Sequence, residues 1–279
     1  MSPPGVLYRP PAAGLGRAAG PQQPRDIHLM RRFALAAPAA VFSAVFAALL
    51  AAGPAAAQTT GTVFGPDVDP DDREFAYRVA AGVEDSGEDA SFAHRIHYQQ
   101  AINERLRWRA LAAWSDPADG DFEFDHIQGE LVIQIIERTP GGYSSALRFD
   151  GRIAEGDDTP HEFGANWTNQ WVFEDGWRAR ALVLFDRDVG PGSDDDWILE
   201  TRASLYKSLD RGLSVGLESF NEFGGLDAGF GGFDDQSHQL GPVLSGDVAY
   251  GVEWSAGVLF GLSEAADDQD VMLRLTRGF

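Results

Sequence analysis

From residue 74 onward, apolar and polar side chains alternate with a period of two, the spacing of a strand with unlike faces. In EFAYRVAAGVE, Phe75, Tyr77, Val79, Ala81 and Val83 share one face, and Glu74, Ala76, Arg78, Ala80, Gly82 and Glu84 share the other. ERLRWRALAAWS repeats the split, with Leu106, Trp108, Ala110, Ala112 and Trp114 opposing Arg105, Arg107 and Arg109. In GWRARALVLFD, Trp177, Ala179, Ala181, Val183 and Phe185 oppose Arg178 and Arg180. A helix brings residues three and four apart together, which would mix these arginines with the aromatics, so the pattern predicts strands.

The predicted strands lie near 74–85, 90–101, 104–115, 121–138, 142–155, 161–174, 176–188, 195–208, 211–223, 236–247, 250–262 and 269–279, about twelve in all, and bacterial barrels require an even number. Their connections alternate in character. One set is tight: Ile102-Asn103, Thr139 to Gly142, Glu174 to Gly176, Leu209 to Gly212 and Val248 to Tyr250. The other set is longer and acidic: Glu84 to Asp89, Asp116 to Asp121, Glu155 to Thr159, Asp188 to Asp196, Gly224 to Asp235 and Ser263 to Asp270. Short turns at one end and long loops at the other match an antiparallel transmembrane β-barrel with periplasmic turns and extracellular loops. Outward-facing aromatics near the strand ends, among them Trp114, Phe149, Phe173, Trp177, Trp197 and Trp254, would form two interfacial girdles.

The chain before residue 74 reads differently. From Met30, MRRFALAAPAAVFSAVFAALLAAGPAAAQ has a basic pair, an alanine-rich apolar stretch and an Ala-x-Ala ending, the pattern of a secretory signal peptide over 30–57 cut after Ala57. Pro38 and Pro54 interrupt the stretch, which argues against a spanning helix. Residues 1–29 are rich in Pro, Gly and Ala and read as a non-native upstream leader, with translation expected to begin at Met30. Residues 58–73, which carry Pro66 and Pro70, read as a periplasmic linker, leaving 74–279 for the barrel.

Composition sharpens the picture at three points. The formal charge of −21 removes nucleic acid as a partner, because phosphate contacts require a basic footprint. Cysteine is absent, which excludes disulfides, thiolate metal sites and cysteine nucleophiles. Lys207 is the single lysine, so arginine supplies nearly all positive charge. A soluble barrel would turn its apolar face inward and coat its exterior with these arginines. A membrane barrel would turn them inward.

The last segment, VMLRLTRGF, sets Val271, Leu273, Leu275 and Phe279 on one face. It resembles the C-terminal signature of bacterial outer-membrane β-barrel proteins, in which a terminal Phe and the alternate apolar residues before it are read by the barrel-assembly machinery. More broadly, HQLGPVLSG…YGVEWSAGVLFGLSEAADDQDVMLRLTRGF is similar to the closing hairpins of proteobacterial outer-membrane proteins of transporter type. The resemblance implies the Gram-negative outer membrane, with lipid and lipopolysaccharide as surroundings and Phe279 as an assembly signal. Arg277 on the outward face departs from the signature, and a residue so near the strand end can snorkel to the interface.

With the apolar face outward, the lumen receives Arg78, Arg95, Arg107, Arg109, Arg148, Arg152, Arg178, Arg180, Arg202 and Arg274, with Glu130, Asp150, Glu200, Glu218 and Glu253. Such charges either pair across strands in an envelope structural protein, or line a narrow passive channel favouring small anionic solutes. Acidic outer loops would oppose that preference at the mouth and could bridge through divalent cations to lipopolysaccharide. The alternative class is a soluble periplasmic lipocalin-like or β-sandwich binding protein, which the direction of the apolar face distinguishes.

Catalysis and cofactors find little support. Asp234, Asp235, Ser237 and His238 cluster at a loop entrance, but Ser237 and His238 are adjacent and point to opposite faces of a strand. Neither an outer-membrane phospholipase pattern nor an omptin-like one is matched, so no enzyme is expected. No metal site is expected from Asp194 to Asp196 or from DPADGD, because the EF-hand spacing is not met. Asn166-Trp167-Thr168 reads as strand, and GGLDAGFGGF as a flexible outer loop without the strand-to-helix context of a nucleotide site.

Overall fold

A computed structural model describes residues 60–83, 91–116, 121–156, 159–193 and 196–279. The expected leader and signal peptide lie outside the described residues, as do Asp194, Asp195 and most of the loops at Glu84 to Asp89 and Asp116 to Asp121.

Twelve strands follow one another: β1 (Arg73–Val83), β2 (Ser91–Asn103), β3 (Leu106–Asp116), β4 (Glu123–Ile136), β5 (Tyr143–Ala154), β6 (His161–Val172), β7 (Trp177–Val189), β8 (Trp197–Ser208), β9 (Leu213–Gly225), β10 (Ser237–Val248), β11 (Val252–Gly261) and β12 (Gln269–Gly278). Each pairs with its neighbours in sequence, and β1 pairs antiparallel with β12 from Glu74↔Gly278 to Val83↔Gln269, which closes the barrel. Closure matters because hydrocarbon offers no partner to an unpaired backbone group. The β-sandwich alternative ends here, since a sandwich has open edges.

Two of the tight turns are fixed by paired left-handed residues. Arg211 and Gly212 have φ of 66° and 73°, and Tyr250 and Gly251 have 69° and 70°. Two consecutive positive φ values define a type I′ turn, whose twist suits a two-residue hairpin. The turn expected to finish at Tyr250 therefore takes in Gly251, and β11 begins at Val252 rather than near residue 250. At the opposite end, Asp196 ties the loop after β9 to the start of β8. Its carboxylate accepts the backbone N–H of Trp197 at 2.7 Å, Asp227 at 2.9 Å and Ala228 at 3.1 Å. Those amides, Asp227 foremost, hold the carboxyl below its ordinary range.

The polarity of the wall is inverted relative to a soluble protein. Leu131, Phe149, Ile153, Phe163, Trp167, Phe185, Leu205, Leu217 and Phe260 are exposed on the outer face, while Arg107, Arg109, Glu130, Arg148 and Asp150 are buried. Trp108, Val183 and Leu273 sit on the outer register and are partly exposed. That belt is the one a barrel presents to lipid, and a lipocalin-like barrel would present the reverse.

Two outer-face details are set by local chemistry. Trp254, expected in a girdle, is only 4% exposed, because its indole lies over Gly246 on the neighbouring strand, against Leu213. Ser145 and Asn169 are polar residues on the outer register, and nearby aromatics satisfy them. Trp167 Nε1 donates to Ser145 Oγ at 2.8 Å, and the Tyr143 hydroxyl donates to Asn169 Oδ1 at 2.8 Å. An unsatisfied polar group in hydrocarbon costs several kcal/mol, which explains the pairing.

Candidate functional site: the barrel lumen

The segment before β1, expected to be a periplasmic linker, packs inside the barrel instead. Backbone carbonyls along it are held by inward side chains. Arg78 Nη1 donates to Thr60 O at 3.2 Å, Arg180 Nη1 to Val63 O at 3.0 Å and Thr168 Oγ1 to Phe64 O at 3.0 Å. Val68 N donates to Gln134 Oε1 at 3.1 Å. Asp67 accepts from Gln170 Nε2 at 2.7 Å and pairs with Arg138. The segment is a strap across the lumen, bound to the wall on several sides.

Its two apolar side chains explain why it enters. Val63 and Phe64 are buried with Leu182, Leu184, Phe220 and Leu259, and Met272 packs against them. Arg148 lies over the Phe64 ring, 4.4 Å from its centroid. Lower in the strap, Val68 is buried with Ala101, Val132 and Ala146. Burying a Val or Phe side chain is favourable by about 1.5–3 kcal/mol, and inward leucines would otherwise face a polar lumen.

The predicted lumenal residues divide into paired and unpaired groups. Arg109 Nη1 meets Glu130 Oε2 at 3.0 Å, and Arg148 bridges Asp150 at 2.9 Å and Glu130 at 3.6 Å. Arg202 pairs with Glu200 at 2.7 Å, Arg152 with Glu162 at 3.1 Å and Arg107 with Asp72 at 3.3 Å. Glu218 accepts the Tyr206 hydroxyl at 2.8 Å. Among the described residues, Arg78, Arg95, Arg178, Arg180 and Arg274 make no ion pair with a carboxylate. Arg178 instead lies 5.5 Å from the Tyr206 ring, and Arg180 Nε donates to Gln170 at 2.7 Å. Glu253 is exposed.

Six of these arginines converge on one cavity of about 290 Å³ beside the strap: Arg78, Arg107, Arg109, Arg178, Arg180 and Arg274. Four carboxylates share it, those of Asp67, Glu74, Glu218 and Glu253, so guanidinium groups are in excess. The cavity occupies the turn end of the lumen, where Glu74, Ser245 and Thr276 lie close to strand ends. Toward the loop end the balance reverses, with Glu162, Asp186, Asp188, Glu200 and Glu222 near Arg152 and Arg202.

Sequence reasoning missed Glu162, Asp186, Asn166 and Gln99 as interior groups, along with the inward leucines. It also flagged the loop entrance at Ser237 and His238. There His238 stacks on Phe233 at 4.7 Å and hydrogen-bonds Asn221 Oδ1 and Gln236 Oε1 at 3.1 and 2.9 Å. Its ring is engaged by amides rather than by Ser237.

No family model matches the chain, and no curated protein matches it. Solved structures do. An outer-membrane channel from Pseudomonas putida F1 superposes with a TM-score of 0.58 at 10% identity, over 77% of this chain and 98% of that one. The KdgM porin in complex with disordered oligogalacturonate gives 0.52 at 8% identity, over 75% and 99%. The NanC porin gives 0.52 at 8% identity, over 73% and 98%. The chain therefore has the fold of the outer-membrane channels and porins. With its apolar outer belt, it is a transmembrane β-barrel of that fold.

Proposed function

We propose that this barrel is a narrow passive channel whose arginine-rich inner chamber favours small anionic solutes, and whose N-terminal strap restricts the bore. The supporting observation is the excess of guanidinium groups around the cavity, with Arg178 and Arg274 facing it unpaired by carboxylate among the described residues. Fixed positive charge in a confined, low-dielectric passage raises the local anion concentration. The acidic outer half opposes entry from outside, so selectivity reflects the difference between the two ends. Nothing about His238 supports a hydrolase, and we infer no enzymatic role.

The test is a reversal potential in planar bilayers under a potassium chloride gradient. Wild-type protein should show chloride preferred over potassium, and R178Q/R274Q should shift the potential toward potassium. An unchanged reversal potential removes the anion reading. An envelope structural role is the second reading, favoured by the apolar layer around Phe64 that fills part of the lumen. In either role the acidic loops suit divalent-bridged lipopolysaccharide, and Phe279 suits recognition by the barrel-assembly machinery.

A further inference from the structure

We propose that Asp150, Glu162 and Asp186, with Asn166, form a binding site for a hard divalent cation, calcium or magnesium, inside the loop-end half of the barrel. The site does not depend on the channel reading. It is built by three adjacent strands. Asp150 of β5 and Asp186 of β7 both pair with Gly164 of β6, so two carboxylates flank a residue that has no side chain. A Cβ at Gly164 would lie 2.4 Å from Asp186 Oδ1 and 2.8 Å from Asp150 Oδ2. Gly164 is thus the floor over which both carboxylates converge.

Glu162 lies two residues earlier on the same face, and one oxygen from each of the three acids falls within 4.8 Å of the others. Calcium holds oxygen ligands at about 2.3–2.6 Å, so opposed ligands stand about twice that distance apart and the cluster matches one ion. Carboxylates alone would not distinguish a site from a crowd of charge. The second observation is Asn166, two residues beyond Gly164 on the same face and only 2% exposed. Its Nδ2 donates to Asp150 Oδ1 at 2.7 Å, so the carboxamide abuts the cluster. Among the described residues its Oδ1 accepts no hydrogen bond, and neither does Oδ1 of Asp186, itself 8% exposed. Two buried oxygens without donors beside two carboxylates are an arrangement that protein donors leave incomplete.

The neighbouring cations do not fill it. Arg148 Nε and Gln128 Nε2 reach Asp150 at 2.9 Å each, and Arg152 reaches Glu162 Oε2 at 3.1 Å. Asp186 makes no ion pair among the described residues. Arg202 also acts on Asp186 and Asp150 but is paired with Glu200 at 2.7 Å, so four carboxylates face three guanidinium groups and the negative charge left over centres on Asp186. All donors are oxygens, which selects calcium or magnesium over the softer transition metals. The competing occupant is a proton shared between Asp150 and Asp186.

Titration calorimetry of the purified full-length barrel in detergent, stripped with chelator and held at about pH 8 so that carboxylates ionise, decides between them. Calcium chloride and magnesium chloride are the probes. One ion should bind per barrel, and D186N should weaken it by at least about tenfold, the lower end of the losses seen even for outer-shell changes at metal sites. G164A fills the floor without altering charge and should weaken binding likewise. D227N, on an outer loop, should leave it unchanged. Heat-modifiable migration on gels verifies that each variant is folded. Absence of binding in wild type, or equal binding in D186N and G164A, overturns the site.

Discussion

Deleting residues 60–70 should raise single-channel conductance severalfold while leaving a folded barrel. The strap contributes no strand, and closure of the sheet runs through β1 and β12 without it. What it contributes is occupancy: Val63 and Phe64 fill the space between Leu182, Leu184, Phe220 and Leu259, and Arg148 caps the Phe64 ring. Removing it also frees Arg78 and Arg180 from backbone carbonyls, so the enlarged bore should become more anion-selective. F64A is the milder variant. It keeps the polar anchors at Thr60 and Asp67 and should raise conductance less, with more frequent fluctuations. If the deleted barrel folds but carries no current above background, the structural role replaces the channel.

A second large effect is expected from changing the charge on opposite sides of one strand. Leu131 lies near the middle of β4 on the outer face, between Trp108 and Phe149, which places Phe149 at mid-wall rather than in the expected girdle. L131R should destabilise the barrel by about 2–4 kcal/mol, the cost of arginine at the bilayer midplane on a lipid-facing site. Its neighbour Glu130 points the other way, 3.0 Å from Arg109 and 3.6 Å from Arg148. E130A leaves both guanidinium groups without that partner. Breaking a buried pair costs about 3–5 kcal/mol where water is excluded, and less here if lumenal water reaches the site. Urea unfolding in lipid vesicles measures both. The two variants should differ in dependence on lipid: thickening the bilayer worsens L131R and leaves E130A unaffected.

Much of the wall was legible because period-two alternation is strong wherever one face meets hydrocarbon and the other meets charge. Arg107 and Arg109 opposite Trp108 fix the register of β3 by themselves, and the same logic placed Arg178 and Arg180. The interior was less legible. In ALVLF, Leu182 and Leu184 continue an apolar run through both faces, so alternation fails there. That failure was itself a signal, since inward leucines need an apolar partner inside the barrel. The partner, Val63-Phe64, sits between Gly61 and Gly65 in a stretch with no periodicity, and two residues carry no pattern. Asp186 and Glu162 were hidden for another reason. Their convergence over Gly164 depends on strand pairing across β5, β6 and β7, which no local spacing encodes.

The inverted polarity of the wall is the claim on which the rest stands, and the cysteine-free chain allows it to be measured directly. Single cysteines at Leu131, Phe149 and Leu217, and at Ser204, Ser245 and Ser255 on the inward register, can carry spin labels in lipid vesicles. The first three should be relaxed by oxygen dissolved in the bilayer and the second three should be shielded from it. Labels at Leu131, Phe149 and Leu217 that respond instead to a water-soluble nickel chelate would contradict the account.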